Sequence, residues 1–268
     1  VREGKPKGFF YLDHRTVDGR NAIITDSYAT PANLHDSRPY LDRLDRQCER
    51  FGFDVWGVGL DAGYYTAGIC KGLEDRGIYG VMGYRRPNKP KGYLPKRVFT
   101  YDPETNSYRC PQGRQLIYAT TNRLGYREYK SNPAQCKDCP LLHQCTRSAN
   151  HVKVLTRHVW QDSKDRTDSY RLTPWGKALY KQRQETVERS FADAKQLHGH
   201  RYARLRGISK VREQCLLAAA AQNMKKIAQI LARLLWLKSL GMPGLQRRIR
   251  KWARKLALLK YWQSGQEY

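Results

Sequence analysis

The chain has 268 residues, of which 50 are Lys or Arg and 24 are Asp or Glu, so its formal net charge is +26 and its pI is about 10.0. This charge favours a polyanionic partner. The longest uninterrupted apolar run, Cys215 to Ala221, is too short for a membrane-spanning helix of about 20 residues. A hydrophobic content of 40% excludes a disordered basic tail. Residues 171–268 hold 22 Lys and Arg against 5 Asp and Glu. This excess of positive charge predicts that this part of the chain faces the phosphates of the partner, with a solvated helix surface as the alternative.

The first part of the chain alternates strand and helix patterns. Residues 9–18 and 22–26 are strand patterns around turn-forming residues and predict an antiparallel hairpin. A helical pattern from residue 36 ends at Gly52. Residues 54–60 and 78–82 are buried-strand patterns on either side of a short helix, an order that favours a parallel α/β layer.

The later part divides by composition. Residues 85–156 are rich in Pro, Gly, Tyr and Cys with little apolar periodicity, and predict a loop-rich inserted module. A long helix is expected from Thr173-Pro174 to Gly199, and another from about Ser209. We therefore predict four parts: 1–84 and 157–237 as the two halves of one α/β domain, 85–156 as the insertion, and 238–268 as a basic helical tail.

Asp61 directly follows the predicted buried strand and precedes Ala62-Gly63-Tyr64. At the carboxyl end of a strand in an open α/β sheet, side chains leave the core and loops bend around ligands. A carboxylate in this position can hold a divalent cation. A helix-cap or turn role is the alternative that this residue by itself favours.

The residue spacing in segment 185–195 predicts that one face of the long helix carries functional side chains. At 3.6 residues per turn, an acid and a base share this face beside an apolar strip: Glu188, Phe191, Ala192 and Lys195. An ordinary amphipathic helix with a salt-bridged flank is the alternative, and this segment by itself favours it.

Five segments follow one another in a recognisable order: Gly8–Tyr11, Thr30–Asn33 with Asp36, Leu60–Tyr64, Thr186–Lys195 and Arg201–Gly207. With the cysteine-containing insertion between Asp61 and Glu188, they resemble the transposases of bacterial insertion sequences that have an RNase H-like DDE catalytic domain. The resemblance covers most of the chain. It implies an α/β fold, with an RNase H-like mixed sheet flanked by helices, an inserted Cys-rich module and a basic helical C-terminal part.

The resemblance also implies roles for individual residues. Asp61 would be the second catalytic aspartate and Glu188 the catalytic glutamate, both as ligands of Mg²⁺ or Mn²⁺. Lys195 keeps the family's spacing to Glu188 and would contact a DNA phosphate near the active site. Tyr180 and Arg183 depart from the family's helical signature, because four residues rather than three separate Arg183 from Glu188.

The family's first catalytic aspartate is expected before Val1, because residues 9–18 match the segment that follows it. Asp13 and Asp18 fall in that later strand and are not predicted to be the first acid. We therefore expect an N-terminally truncated chain that is catalytically incomplete by itself.

Four cysteines of the insertion predict a tetrahedral Zn²⁺ site: Cys110, Cys136, Cys139 and Cys145. The C-x-x-C pair has metal-knuckle spacing, and Cys110 would supply the fourth thiolate. His143 could replace one cysteine, and free thiols or an iron–sulfur cluster are the alternatives. The remaining cysteines lie on apolar helix patterns and are predicted core thiols: Cys48, Cys70 and Cys215.

Cations near the long helix are candidates for DNA contact: Arg189, Lys195, Arg201, Arg204 and Arg206. His198 and His200 flank Gly199 where the helix is expected to end. This placement favours compensation of the helix C-terminal charge or a phosphate contact over a metal site.

We expect a DNA transposase of an insertion sequence, bacterial, cytoplasmic and nucleoid-associated, that performs metal-dependent strand cleavage and strand transfer. Its partners would be the element ends and target DNA, with no membrane. Two ends must be brought together, so a homodimer on DNA is expected. The alternatives are a truncated or repurposed non-catalytic DNA-binding protein and a simple Mg²⁺-dependent nuclease.

Overall fold

The computed structural model describes residue 8, residues 10–84 and residues 92–239. For residues 238 and 239 it describes only the backbone. The chain is a mixed α/β protein, as the sequence predicts. The strands are β1 (Tyr11–Val17), β2 (Ile24–Pro31), β3 (Gly57–Leu60), β4 (Tyr79–Met82), β5 (Thr100–Asp102), β6 (Ser107–Arg109), β7 (Gln115–Thr121), β8 (Tyr126–Ser131) and β9 (Val154–His158). The helices are α1 (Tyr40–Phe51), α2 (Ala67–Glu74), α3 (Pro133–Cys136), α4 (Leu142–Cys145), α5 (Gln161–Tyr170), α6 (Pro174–Arg183), α7 (Arg189–Leu197) and α8 (Ile208–Ser239). Short 3₁₀ turns cover Ala62–Tyr64 and Lys96–Val98, and a π-helical segment covers Gln184–Glu188.

The chain forms two compact units, the first made of residues 1–35 and 183–268 and the second of residues 36–182. In the first unit, β1 and β2 pair as the antiparallel hairpin that the turn residues predict. Helix α8 packs against β2, where Val211 and Cys215 cover the fully buried Ala29. The buried Cys215 confirms the predicted core thiol at this position.

The α/β part of the second unit follows the predicted order of strand, helix and strand, with β3 parallel to β4. Gly52 ends α1 in the left-handed conformation, with φ of 61°. The Thr66 hydroxyl accepts the N–H of Ile69 and caps α2. Helices α1 and α2 share a core with these strands, and Cys70 is buried in it, as predicted.

The segment predicted to be a loop-rich insertion forms an antiparallel sheet of five strands in the order β5-β6-β7-β8-β9. Its core contains Phe99, Tyr108, Leu116, Tyr129 and Leu155. Tyrosines supply much of the apolar surface, with the rings of Tyr101 and Tyr108 centred 5.1 Å apart. The sequence pattern missed the sheet because its strands are short and because Tyr and Ser supply many of the buried residues beside Leu116 and Leu155.

The long helix expected from Thr173 to Gly199 is present, with a change of geometry in its middle. Thr173 Oγ1 accepts the N–H of Gly176 at 3.1 Å, which confirms the predicted cap. Gly199 follows the end of α7 with φ of 60°. The predicted tail from residue 240 lies outside the described residues. Within the described residues, no helix has both the length and the apolar character that crossing a bilayer requires.

Candidate active site and DNA-binding surface

Asp61 stands at the carboxyl end of β3, as its sequence position predicts, and its side chain is exposed. Its Oδ1 accepts the N–H of Ala62 at 2.8 Å and caps the 3₁₀ turn that follows the strand. The cap and ligand roles are compatible, because a carboxylate has two oxygens with several lone pairs. The turn therefore orients the carboxylate without burying it.

Two further side chains lie close to the Asp61 turn. A Cβ on Gly83, which follows β4, would lie 2.6 Å from the Tyr180 hydroxyl oxygen and 3.2 Å from the Ala62 nitrogen, so both groups closely approach this glycine. A Cβ on Gly63 would lie 3.6 Å from Asp36 Oδ2. Sequence reasoning did not select Tyr180 or Asp36 as site residues, although Asp36 belongs to a segment that carried the family resemblance and Tyr180 was noted as a departure from the family's helical signature.

Glu188 lies in an open cleft of about 420 Å³ in the first unit. The cleft is lined by Glu188, Phe191, Ala192, Lys195, Gln196 and Arg201. The helical spacing correctly predicted that the first four of these residues share a face. The small Ala192 leaves the cleft open next to the acid. The cations Lys195 and Arg201 also line the cleft. The arrangement can admit an anionic chain beside a carboxylate.

Arg183 is the direct partner of Glu188. Its Nη1 donates to Glu188 Oε1 at 2.7 Å, and the Glu188 side chain remains 55% exposed. The π-helical segment between them accommodates the extra residue that separates this pair from the family's usual spacing. The apparent departure in the sequence is therefore absorbed by local backbone geometry.

A buried arginine lies beneath the segment that carries Glu188. The Arg15 side chain is fully buried; its Nε donates to Asp13 Oδ2 at 2.8 Å and its Nη1 to Ser190 Oγ at 3.2 Å. The guanidinium carbon also lies 4.9 Å from the centre of the Phe191 ring, which lines the cleft. With its amide turned to satisfy both partners, Gln222 bonds Arg15 Nη1 and Ser190 Oγ. Arg15 of β1 and Gln222 of α8 thus both bond Ser190 of α7, two residues after the glutamate.

Asp13, His200 and Cys215 bring three potential metal ligands within 4.8 Å of one another. Asp13 Oδ2 is already bonded to Arg15, and His200 Nε2 lies 3.0 Å from the same oxygen. The Ser27 hydroxyl donates to Asp13 Oδ1 at 3.2 Å. Because the buried guanidinium would repel a dication, we interpret this group as a hydrogen-bonded hub. His200 is therefore engaged with Asp13, which differs from the phosphate contact that its position after α7 favoured.

Burial by itself would raise the pKa of Asp13. The hydrogen bond with His200 and the charge of Arg15 outweigh that effect and leave the pKa below its ordinary value. Asp13 is thus an ionised structural carboxylate, and its side chain is only 11% exposed. This agrees with its exclusion as the first catalytic acid.

The cations predicted to contact DNA are all exposed: Arg189, Lys195, Arg201, Arg204 and Arg206. Lys195 and Arg201 line the cleft of Glu188. The left-handed Gly199 leaves room for the guanidinium of Arg204, since a Cβ there would lie 2.6 Å from its Nη2. Tyr202 projects from the same loop with 75% of its surface exposed.

The four cysteines predicted to bind zinc are half-buried free thiols in the second unit: Cys110, Cys136, Cys139 and Cys145. Cys110 follows β6, while the other three occupy the two short helices α3 and α4 and the turn between them. The third predicted core thiol, Cys48, is half-buried and packs against the core of α1 and α2.

Residues 109–228 match the family model described as the transposase DDE domain. The matched segment includes Glu188, Lys195 and the four cysteines of the insertion, whereas Asp61 precedes it. No curated protein and no solved structure gives a match. Over residues 109–228 the chain is similar to the transposase DDE domain.

Proposed function

We propose that this protein acts in DNA transposition, with Asp61 and Glu188 as two of the ligands of a divalent metal site. The observation that carries the proposal is the open cleft in which Glu188 stands beside Lys195 and Arg201, within the segment that matches the transposase DDE domain. A cleft that combines a carboxylate with cations suits a phosphodiester approaching a metal ion.

The donor set fits Mg²⁺ or Mn²⁺. Asp61 and Glu188 offer carboxylate oxygens, the hard ligands these ions prefer, and both side chains are exposed rather than enclosed in an apolar core. When bound, such ions would lower the pKa of the attacking water or 3′-hydroxyl and stabilise the leaving oxygen.

Tyr180 lies near Asp61 in the second unit. Its hydroxyl lies against Gly83 beside the Asp61 turn, in the same unit as that aspartate. Along the chain, α6 carries Tyr180 and is followed by the π-helical segment that ends at Glu188. The family resemblance implies that the two acids serve one site.

The residues of the chain would hold the DNA and the carboxylate in place. Arg183 fixes one oxygen of Glu188, and Arg15 holds the next helical turn from below through Ser190. Lys195 and Arg201 would neutralise phosphates next to the cleft, while Arg204 and Arg206 would extend the contact along the backbone. Arg189 is a further candidate on the same helix.

We also propose the finer organisation that the family resemblance implies. Residues 1–84 and 157–237 would form an RNase H-like domain, with 85–156 as its insertion and 238–268 as a basic tail. Joining two element ends requires two active sites, so we propose a homodimer on DNA. With that role we propose that the protein is bacterial and that it associates with the nucleoid in the cytoplasm.

Metal binding tests the shared site without requiring catalysis. Titration of the full chain with Mn²⁺, followed by electron paramagnetic resonance, should show that Asp61→Asn and Glu188→Gln each weaken binding by more than about tenfold. The double variant should lose little more, because both substitutions damage one site. Matched controls are Asp54→Asn, at the other end of the strand region, and Glu213→Gln, on α8; both carboxylates are exposed. Unchanged affinity in either site variant would refute the shared site.

A strand-transfer assay separates the candidate functions. Labelled DNA containing an element end is incubated with the protein, Mg²⁺ and a target plasmid. Joined products are expected for a transposase. Hydrolysis without joining would indicate a nuclease, and binding without either reaction would indicate a DNA-binding protein.

A further inference from the structure

Cys110 begins a tight turn at the end of β6. Its N–H donates to the carbonyl of Arg114 at 2.8 Å, and its own carbonyl accepts the N–H of Gly113 at 2.9 Å. Gly113 has φ of 73°, a conformation that a side chain would strain. The turn holds the Cys110 thiol just after the end of β6, where it packs against the sheet's core.

A second group of thiols lies on consecutive turns between β8 and β9. The Cys139 N–H donates to the Cys136 carbonyl at 3.1 Å, so the C-x-x-C pair forms a closed turn. The Leu142 N–H then donates to the Cys139 carbonyl at 3.0 Å, and α4 ends at Cys145. These hydrogen bonds fold the segment back on itself and gather three thiols within a few residues.

One thiol from each group packs against the core of the sheet. Cys145 packs against the same core as Cys110. Burial raises the pKa of the Cys145 thiol; Lys153 opposes that effect, while the nearby Cys136, Cys110 and Cys139 thiols raise the pKa further. Cys145 therefore lies within electrostatic reach of each of the other three thiols. None of them forms a disulfide.

The segment that carries three of these cysteines has little else to stabilise it. No residue between Ser131 and Leu155 is fully buried. Helices α3 and α4 have four residues each, far below the length at which a helix is stable by itself. An ordered segment without a core of its own needs a cross-link, and a metal held by thiolates provides one.

We propose that Cys110, Cys136, Cys139 and Cys145 bind one structural Zn²⁺ that fastens residues 132–153 to the five-stranded sheet. No three of the four sulfur atoms lie within 4.8 Å of one another, so binding would draw them together around Zn–S distances of about 2.3 Å. Each thiol would release its proton on binding. Lys153, whose Nζ donates to the Cys145 carbonyl at 2.6 Å, would offset part of the negative charge of four thiolates.

The test is the metal content of the full chain, purified without added metal and measured by elemental analysis. About one zinc per chain is expected in the wild type. Cys139→Ser and Cys110→Ser should each lose most of the zinc. Cys48→Ser, a half-buried thiol of the same unit, and Cys215→Ser, from the cluster with Asp13 and His200, should both keep it.

Folding is checked in each variant by circular dichroism. A cobalt-substituted wild type should show the thiolate-to-cobalt charge-transfer bands of tetrahedral coordination, so the proposal does not depend on a variant that unfolds. Folded wild-type protein without zinc, iron in place of zinc, or zinc lost in Cys215→Ser rather than in Cys139→Ser would each overturn it. Zinc content is independent of DNA cleavage, so this result and that of the strand-transfer assay are separable.

Discussion

Arg183 Nη1 and Glu188 Oε1 are 2.7 Å apart although five positions separate the two residues along the chain. On a regular α-helix, residues three or four apart are neighbours, and a spacing of five turns the side chains away from each other. The π-helical segment Gln184–Glu188 adds one residue to a turn and brings this pair together. Such segments occur frequently at functional sites. Here the π-helical segment ends at a candidate catalytic acid that lines an open cleft.

The Arg183–Glu188 pair is expected to contribute little to stability. Because Glu188 is 55% exposed, Glu188→Gln should lower the free energy of unfolding by less than about 1 kcal/mol. Urea denaturation measures this, with the exposed Lys177→Ala as the control. A loss of several kcal/mol would show that the pair is structural rather than a positioning device for the carboxylate.

Arg15 should behave in the opposite way. Its side chain is fully buried, and removing it leaves Asp13 without its main cationic partner inside the first unit. We expect Arg15→Ala to lower the free energy of unfolding by about 3–5 kcal/mol. The exposed Arg20→Ala on the same hairpin is the control, for which about 0.5 kcal/mol or less is expected. Similar urea midpoints for the two variants would contradict the role of Arg15 beneath α7.

The lowered pKa of Asp13 predicts how stability depends on pH. A carboxyl whose pKa is lower in the folded state than in the unfolded state stabilises the fold above its unfolded pKa, here 3.8, and loses that contribution as the pH falls through the folded pKa. The difference in unfolding free energy between the wild type and Asp13→Asn should therefore shrink as the pH falls below about 4. Denaturation series at several pH values measure it. A difference that grows on acidification would contradict the ion pairs of Asp13 with Arg15 and His200.

DNA affinity should depend on the exposed cations near the cleft. Arg201→Ala, Arg204→Ala and Arg206→Ala should each weaken binding to unrelated DNA sequences to a similar extent, and each should reduce the slope of log K against log salt by about 1. Fluorescence anisotropy at several salt concentrations measures both effects. Arg20→Ala is the control, because this arginine belongs to the β1–β2 turn. Unchanged slopes in all three variants would place the DNA elsewhere.

Local sequence signals were sufficient for much of the framework. The turn between β1 and β2, the Thr66 cap and the left-handed Gly52 depend on residues close to each other in the chain, so short patterns predict them. The position of Asp61 after β3 and the shared face of Glu188 and Lys195 follow from strand and helix periodicity. The sheet of residues 100–158 was missed because its short strands bury Tyr and Ser, whose burial depends on neighbours from other strands.

The sequence by itself determined the charge, the order of the local elements and the identity of the acids that resemble a DDE site. Only the tertiary structure decided that Arg15 lies buried against Ser190, that His200 pairs with Asp13, and that Cys110 and Cys145 share one core. These contacts join residues 35 to 187 positions apart. Short-range propensities carry no information about them, because they form only when burial brings distant segments together and polar groups must find partners away from water.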